Sequence, residues 1–183
     1  MPSMEKGLVV RHLQVGQDLF EMELITPGIV SECQPGQFIH VQVGQENYPI
    51  LRRPLSLYDV DRHLGSIVFL YKVVGEGTRL LSKVRPKDSL NVMGPLGRGF
   101  SLPKQECNVL LVGGGVGIAP LVYLARVLIE RRCRVRVLHG TQTREQLAAF
   151  EKLRQIGVQF MPATVDGSAG FKGLVTELLF KKV

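Results

Sequence analysis

The chain has no tryptophan, only three cysteines in 183 residues, and no apolar run near the roughly 18 residues that a membrane-spanning helix needs. Each scarcity excludes something. Cys33, Cys107 and Cys133 are odd in number and far apart in sequence, so they offer no disulfide framework. Nor do they have the close spacing of a zinc or iron–sulfur ligand run, so no metal site is read. Cys107 and Cys133 each begin an apolar stretch and are expected to be small buried hydrophobes. No basic segment followed by an apolar one opens the sequence, so no signal peptide is read; cytoplasm is the expected compartment, with no membrane partner.

Low-complexity segments and internal repeats are also missing, while 45% of residues are apolar, enough for a packed core. At about 100–200 residues per domain, the length fits one large domain or two small ones. The net charge of +7 could draw anions, nucleic acid or an acidic protein. Its densest basic run, Arg131-Arg132-Cys133-Arg134-Val135-Arg136, straddles an expected helix end and strand start, where cations are favoured for structural reasons. Interleaved aromatics of the kind that stack on nucleobases are lacking, so a nucleic-acid partner is not expected.

Two rhythms divide what is present. Residues 7 to about 102 read as short strands, at 8–10, 19–24, 37–43, 66–74 and 88–93, punctuated by Pro27-Gly28, Pro35-Gly36 and Gly65. A small antiparallel Greek-key barrel or sandwich follows, with one helix from Thr78 to Val84 stopped by Pro86. From Cys107 the order becomes strand 107–112, helix 118–131, strand 133–139, helix 144–156 and strand 158–164. That alternation implies a parallel sheet with right-handed crossovers. The expected domains are 1–102 and 103–183, with Ser101-Leu102-Pro103-Lys104-Gln105 as the joint.

Three motifs carry chemistry. The apolar run Val109-Leu110-Leu111-Val112 leads into Gly113-Gly114-Gly115-Val116-Gly117-Ile118-Ala119-Pro120 and then a helix-like segment. A strand, glycine turn and helix N-terminus bring backbone N–H groups and a helix dipole onto a phosphate. Pro120 departs from the usual fingerprint but costs nothing in a first helical turn. The acidic residue expected some 20 positions on is absent, replaced by Leu138-His139-Gly140-Thr141-Gln142-Thr143-Arg144. Arg144 either meets a 2′-phosphate or simply begins a solvated helix. Arg53-Pro54-Leu55-Ser56 places a bidentate phosphate donor and a hydroxyl about 10 Å apart if extended. Pro54 lacks a ladder N–H, which puts that strand segment at an edge or bulge. Gly75-Glu76-Gly77-Thr78 repeats the strand-to-helix cradle. Just before it, Leu70-Tyr71-Lys72 offers an apolar and aromatic surface for a flat ring, with a cation beside it. Each motif alone has an ordinary structural reading; their order suggests a flavin and a nicotinamide nucleotide.

Together with Gly94-Pro95-Leu96-Gly97 and Asp166-Gly167-Ser168-Ala169-Gly170, these motifs make the chain resemble the ferredoxin–NADP reductase superfamily. Within it, the chain is most similar to the electron-transfer subunits of class B dihydroorotate dehydrogenases, enzymes of pyrimidine biosynthesis. The resemblance implies an FAD-binding barrel followed by an NAD-binding domain, with NADP as an alternative. It implies that Arg53, Pro54, Leu55 and Ser56 hold FAD, with Arg53 on the pyrophosphate and Ser56 near the reactive ring nitrogen. Leu70, Tyr71 and Lys72 would line the same site, and Gly75, Gly77 and Thr78 would cradle its phosphates. Gly114, Gly115, Gly117 and Pro120 would receive the nicotinamide dinucleotide, and Asp166 and Ser168 either lie near it or form a plain Asp-Gly turn. No side chain is assigned acid–base catalysis. The implied partner is an FMN-containing catalytic dehydrogenase subunit in a hetero-oligomer. Family members usually continue into a strand with a Cys-Gly-Pro motif and a cysteine cluster for a [2Fe–2S] centre; neither occurs in these 183 residues. Either the sequence is a fragment, the preferred reading, which implies an exposed apolar sheet face, or it is a naturally short form that passes electrons differently. Readings left open are a sister subunit of a hydrogenase, sulfide dehydrogenase or bifurcating transhydrogenase, and a catalytically silent nucleotide-binding module.

Overall fold

The computed structural model describes residues 2–44, 49–147 and 149–182, and separates after Phe100 into two compact units. In the first, the turn-punctuated strands close on themselves. β1 (Ser3–Gly16), β2 (Leu19–Ile25), β3 (Phe38–Val41), β4 (Arg53–Asp61), β5 (Ser66–Lys72) and β6 (Ser89–Leu96) form a barrel in the order β1-β2-β5-β4-β3-β6. All neighbours are antiparallel, β6 pairing back to β1, so no strand is left as an open edge. Alternation drives the closure. Met22 and Leu24, Ile39 and Val41, and Leu90 and Val92 sit two residues apart and are buried, as side chains on one face of a strand must be. β5 is buried from Ser66 through Tyr71 without alternating, because both of its faces are covered. Two short helices belong to this unit, α1 (Pro27–Val30) and α2 (Glu76–Leu81).

The antiparallel barrel followed by an α/β unit is as the sequence implied, but several boundaries differ. β1 runs from Ser3 to Gly16, far beyond residues 8–10, with register shifts that let it curve between two neighbours. Pro27-Gly28, read as a turn, starts α1, where the proline occupies an early helical position needing no N–H. α2 begins at Glu76 and ends at Leu81.

The second unit holds a parallel sheet in the order β10-β9-β8-β7, from β7 (Asn108–Gly114), β8 (Arg134–Thr141), β9 (Gln159–Thr164) and β10 (Phe171–Lys172). A single 3₁₀ turn, Gly115–Ile118, leads from β7 into α3 (Ala119–Glu130). Ala119, Val122, Ala125 and Leu128 recur every third residue along α3 and are all buried, giving it one packed face. The helix expected over 144–156 is instead a 3₁₀ turn, Arg144–Gln146, followed by α4 (Phe150–Gln155); Ala148 lies outside the described residues. β10 and α5 (Val175–Lys182) were not foreseen. α5 closes one sheet face by packing Leu178 with Leu138 and Ala163. Further along that sheet, on β7, Leu110 and Val112 are each 38% exposed. Cys133 is buried as expected but Cys107 is exposed, and their sulfurs lie 3.8 Å apart at the starts of adjacent strands.

Candidate functional site

β4 changes neighbours along its length. Arg53–Ser56 pairs with β3, whereas Leu57–Asp61 pairs with β5, with an irregularity between Leu57 and Asp59. β5 keeps its pairing to β2 as far as Lys72 but has no β4 partner beyond Phe69. The two strands therefore diverge, leaving Arg53–Ser56 on one side and Leu70–Lys72 on the other with ladder groups not committed to each other. Pro54 sits where its missing N–H spares the β4–β5 ladder. Here the barrel leaves ladder groups of β4 and β5 unpaired with each other, and both expected segments border the gap.

α2 adds a third wall. A Cβ on Gly77 would overlap the Arg53 guanidinium, so the missing side chain is what lets Arg53 lie across the start of the helix. Nη1 of Arg53 donates to the Leu51 carbonyl at 2.8 Å, which fixes the side chain's direction. The Thr78 hydroxyl accepts from the N–H groups of Val74 at 3.0 Å and Gly75 at 3.2 Å and donates to the Gly75 carbonyl at 3.0 Å. Thr78 thus folds the bend rather than reaching outward. At Gly75 a Cβ would meet nothing within 4 Å. Arg53 and, more than 20 residues later, Gly75, Gly77 and Thr78 form one locus.

Tyr71 departs from the expectation that its ring offers a stacking surface. It is only 2% exposed, stacked on Phe20 at 5.6 Å, and its hydroxyl meets His12 Nε2 at 2.9 Å. His12 Nδ1 lies 2.7 Å from the Val84 carbonyl and must donate to it, so the ring is anchored on both sides. Burial raises the Tyr71 phenol above its usual range, keeping its proton in place. Leu70 is buried too, so this segment offers backbone and Lys72, not an aromatic face. Tyr71→Phe is expected to cost about 1 kcal/mol of stability, the net worth of one hydrogen bond. Urea melts of wild type and variant check this.

In the second unit the glycines of the turn have different reasons to be glycine. Gly113 is buried, and its Cβ would press on Ile118 and Leu121 at 3.0–3.2 Å. Gly115 has φ +51, which side-chain-bearing residues rarely adopt. Gly114 and Gly117 have neither reason: nothing lies within 4 Å of a Cβ at either, nor at Gly115. The chain itself does not fill the space beside this bend, and Pro120 stands in the first turn of α3 behind it. The arrangement presents backbone N–H groups and a 12-residue helix's positive end to an open surface at the carboxyl edge of a parallel sheet.

The same edge carries an ordered loop pair. Ser168 accepts from the Arg144 N–H at 2.8 Å and donates to Asp166 Oδ1 at 2.7 Å, and its own N–H reaches that oxygen at 3.0 Å. These bonds hold the Asp166 carboxyl below its usual range. Asp166 and Ser168 thus form the Asp-Gly turn that was one of the two readings, and Arg144 opens a 3₁₀ turn. Among the described residues no three His, Cys, Asp or Glu side chains gather as a metal site, and Cys33 lies in a different unit from Cys107 and Cys133.

His139 was not singled out from the sequence. It is fully buried on β8, opposite Gly113 in register, and its Nε2 is 2.9 Å from the Gly115 carbonyl. Only pairing of parallel strands places it there, so no local signal could have marked it.

No family model matches the chain. It is 42% identical over 165 residues to the dihydroorotate dehydrogenase B (NAD(+)) electron transfer subunit of Desulforamulus reducens, spanning 90% of this chain and 63% of that protein. It is 38% identical over 185 residues to the subunit of the same name from Geobacillus sp. (strain WCH70), spanning 100% of this chain and 71% of the relative. The chain thus spans somewhat less than two thirds of the first relative's length and somewhat more of the second's. Among solved structures, an NADH-dependent reduced ferredoxin-NADP oxidoreductase studied for flavin-based electron bifurcation superposes with a TM-score of 0.86 at 32% identity, over 97% of this chain and 63% of that one. The ferredoxin reductase of carbazole 1,9a-dioxygenase superposes with a TM-score of 0.85 at 22% identity, over 99% of this chain and 57% of that one, which shows a shared fold.

Proposed function

Because the chain belongs to the family of dihydroorotate dehydrogenase B electron transfer subunits, we propose that it passes reducing equivalents between a nicotinamide dinucleotide and a partner dehydrogenase through FAD. One observation carries this reading. Each unit has a glycine bend ahead of a helix whose side-chain space, at Gly75 in one and at Gly114, Gly115 and Gly117 in the other, meets no atom of the chain. Two such bends suit two pyrophosphates.

In this reading Arg53 forks onto the FAD pyrophosphate from its seat against Gly77, while Thr78 keeps the Gly75 bend closed around it. Pro54, Leu55 and Ser56 form one wall of the ring site, with the Ser56 hydroxyl near the reactive nitrogen. The backbone of Leu70 and Tyr71 forms the other wall, and Lys72 supplies positive charge. Gly114, Gly115, Gly117 and Pro120 receive NADH, with NADPH as the alternative. When bound, the flavin supplies a two-electron acceptor for hydride and can release electrons onward. The chain's residues orient and tune the cofactors, and no side chain acts as an acid or base. The cysteines fit no iron–sulfur cluster among the described residues, so no step is assigned to one. The partner is the family's catalytic dehydrogenase subunit, carrying FMN, in a hetero-oligomer that makes a pyrimidine precursor.

A second reading is favoured by the 32% identical neighbour tied to electron bifurcation: a related reductase subunit serving another acceptor. Purified chain incubated with FAD and freed of excess is expected to keep the flavin's visible absorption, and anaerobic NADH should bleach it. A colourless chain after incubation would overturn both readings. Faster bleaching by NADPH than by NADH would favour the second.

A further inference from the structure

We propose that His139 is a positioning residue for dinucleotide binding, its Nε2–H holding the Gly115 carbonyl inward so that the Val116 N–H is turned outward. The geometry rests on peptide planarity. In a trans peptide unit the C=O and the following N–H point in opposite directions. Gly115 O accepts from His139 Nε2 at 2.9 Å, on the buried side of β8. The N–H of Val116 in the same unit therefore points away from the sheet. It faces the side where Gly114, Gly115 and Gly117 leave their Cβ positions empty to 4 Å.

The remaining chemistry of the ring fits a fixed donor. A carbonyl can only accept, so the proton is on Nε2 and Nδ1 carries the lone pair. That Nδ1 is buried without a hydrogen-bond partner among the described residues, an arrangement that costs free energy. Burial holds the imidazole neutral by lowering its affinity for a second proton. Phe160 meets the ring edge-on at 6.2 Å, fixing its plane. A leucine in this position would fill similar space with no orphaned nitrogen. For core packing alone, then, histidine is a poor choice, and the bond to Gly115 is what it supplies.

This inference rests on the glycine turn being a dinucleotide site, and the test separates the two. ADP-ribose, which has the pyrophosphate but no nicotinamide, is titrated calorimetrically into wild type, His139→Leu and His139→Gln, each loaded with FAD. Gln keeps an N–H donor at about the reach of Nε2; Leu has none. His139→Leu is expected to bind about tenfold more weakly, equivalent to about 1.4 kcal/mol. His139→Gln should stay within about threefold, and all three should melt alike. In stopped-flow reduction by NADH, the half-saturating concentration for His139→Leu should rise about tenfold while the limiting rate stays within twofold. Wild-type affinity in His139→Leu would overturn the inference and leave the dinucleotide site standing. So would a Gln variant as weak as Leu, or a fall in melting temperature that tracks the loss of binding. Wild type that fails to bind ADP-ribose would instead sink the reading of the site itself.

Discussion

Arg53→Ala is expected to yield a folded chain that emerges without flavin colour and binds added FAD about a hundredfold more weakly. An arginine fork on a pyrophosphate makes charge-assisted hydrogen bonds worth about 1.5–3 kcal/mol each. Losing two such bonds costs at least about 3 kcal/mol, or roughly a hundredfold in Kd. Arg53 is partly exposed and takes no place in the barrel core, so its removal should leave the melting temperature within a few degrees. Arg53→Lys should recover only part of the affinity, since an ammonium cannot reproduce the planar fork. Gly77→Val tests the same geometry from the other side, because a side chain there displaces the guanidinium. It should weaken FAD in the same direction. FAD titration by fluorescence quenching decides; wild-type affinity in Arg53→Ala would remove the residue from the flavin site.

Gly114→Val should separate binding from folding in the second unit. Gly114 has φ −117 and ψ 133, ordinary extended backbone that valine prefers, and no atom lies within 4 Å of its Cβ position. Replacing glycine at a compatible position reduces the entropy of the unfolded chain, so stability should hold or rise by about 0.4–1 kcal/mol. Yet an isopropyl group would occupy the space a pyrophosphate needs, and the half-saturating concentration of NADH should rise at least about a hundredfold, a block set by sterics. Gly115→Val makes the contrast. At φ +51 a β-branched residue is strained, by about 1–3 kcal/mol, so that variant should lose stability as well as binding. Calorimetric melting alongside NADH titration reads both. Unchanged NADH dependence in Gly114→Val would mean that the open space serves something other than a dinucleotide.

The two-rhythm architecture was legible because its signals are local. Alternation at Ile39 and Val41, the apolar run from Ile67 to Tyr71, and the strand–glycine–helix order at 109–120 need no distant contact to be read. Short elements were less visible. α1 has four residues and β10 two, too few for any periodicity to register. The expected 144–156 helix resolved into a 3₁₀ turn and α4, and the Arg144 N–H that opens the turn is held by the Ser168 hydroxyl, a contact no local pattern shows. Tyr71 illustrates the limit at the site. Its residue type suited a ring platform, but the stack with Phe20 and His12 took the side chain into the interior.

By itself, the sequence determined which backbone segments lack side chains, the order of the antiparallel and alternating halves and the place of the longest helix, and which cation precedes a hydroxyl, since composition and spacing express these directly. Only the tertiary structure decided that Arg53 lies over Gly77, that β4 and β5 part beyond Leu57 and Phe69, and that His139 grips the Gly115 carbonyl. These pairs stand 12 to 24 residues apart in the chain. They meet through strand register and closure of the barrel, which depend on the summed burial of many side chains and on no local pattern.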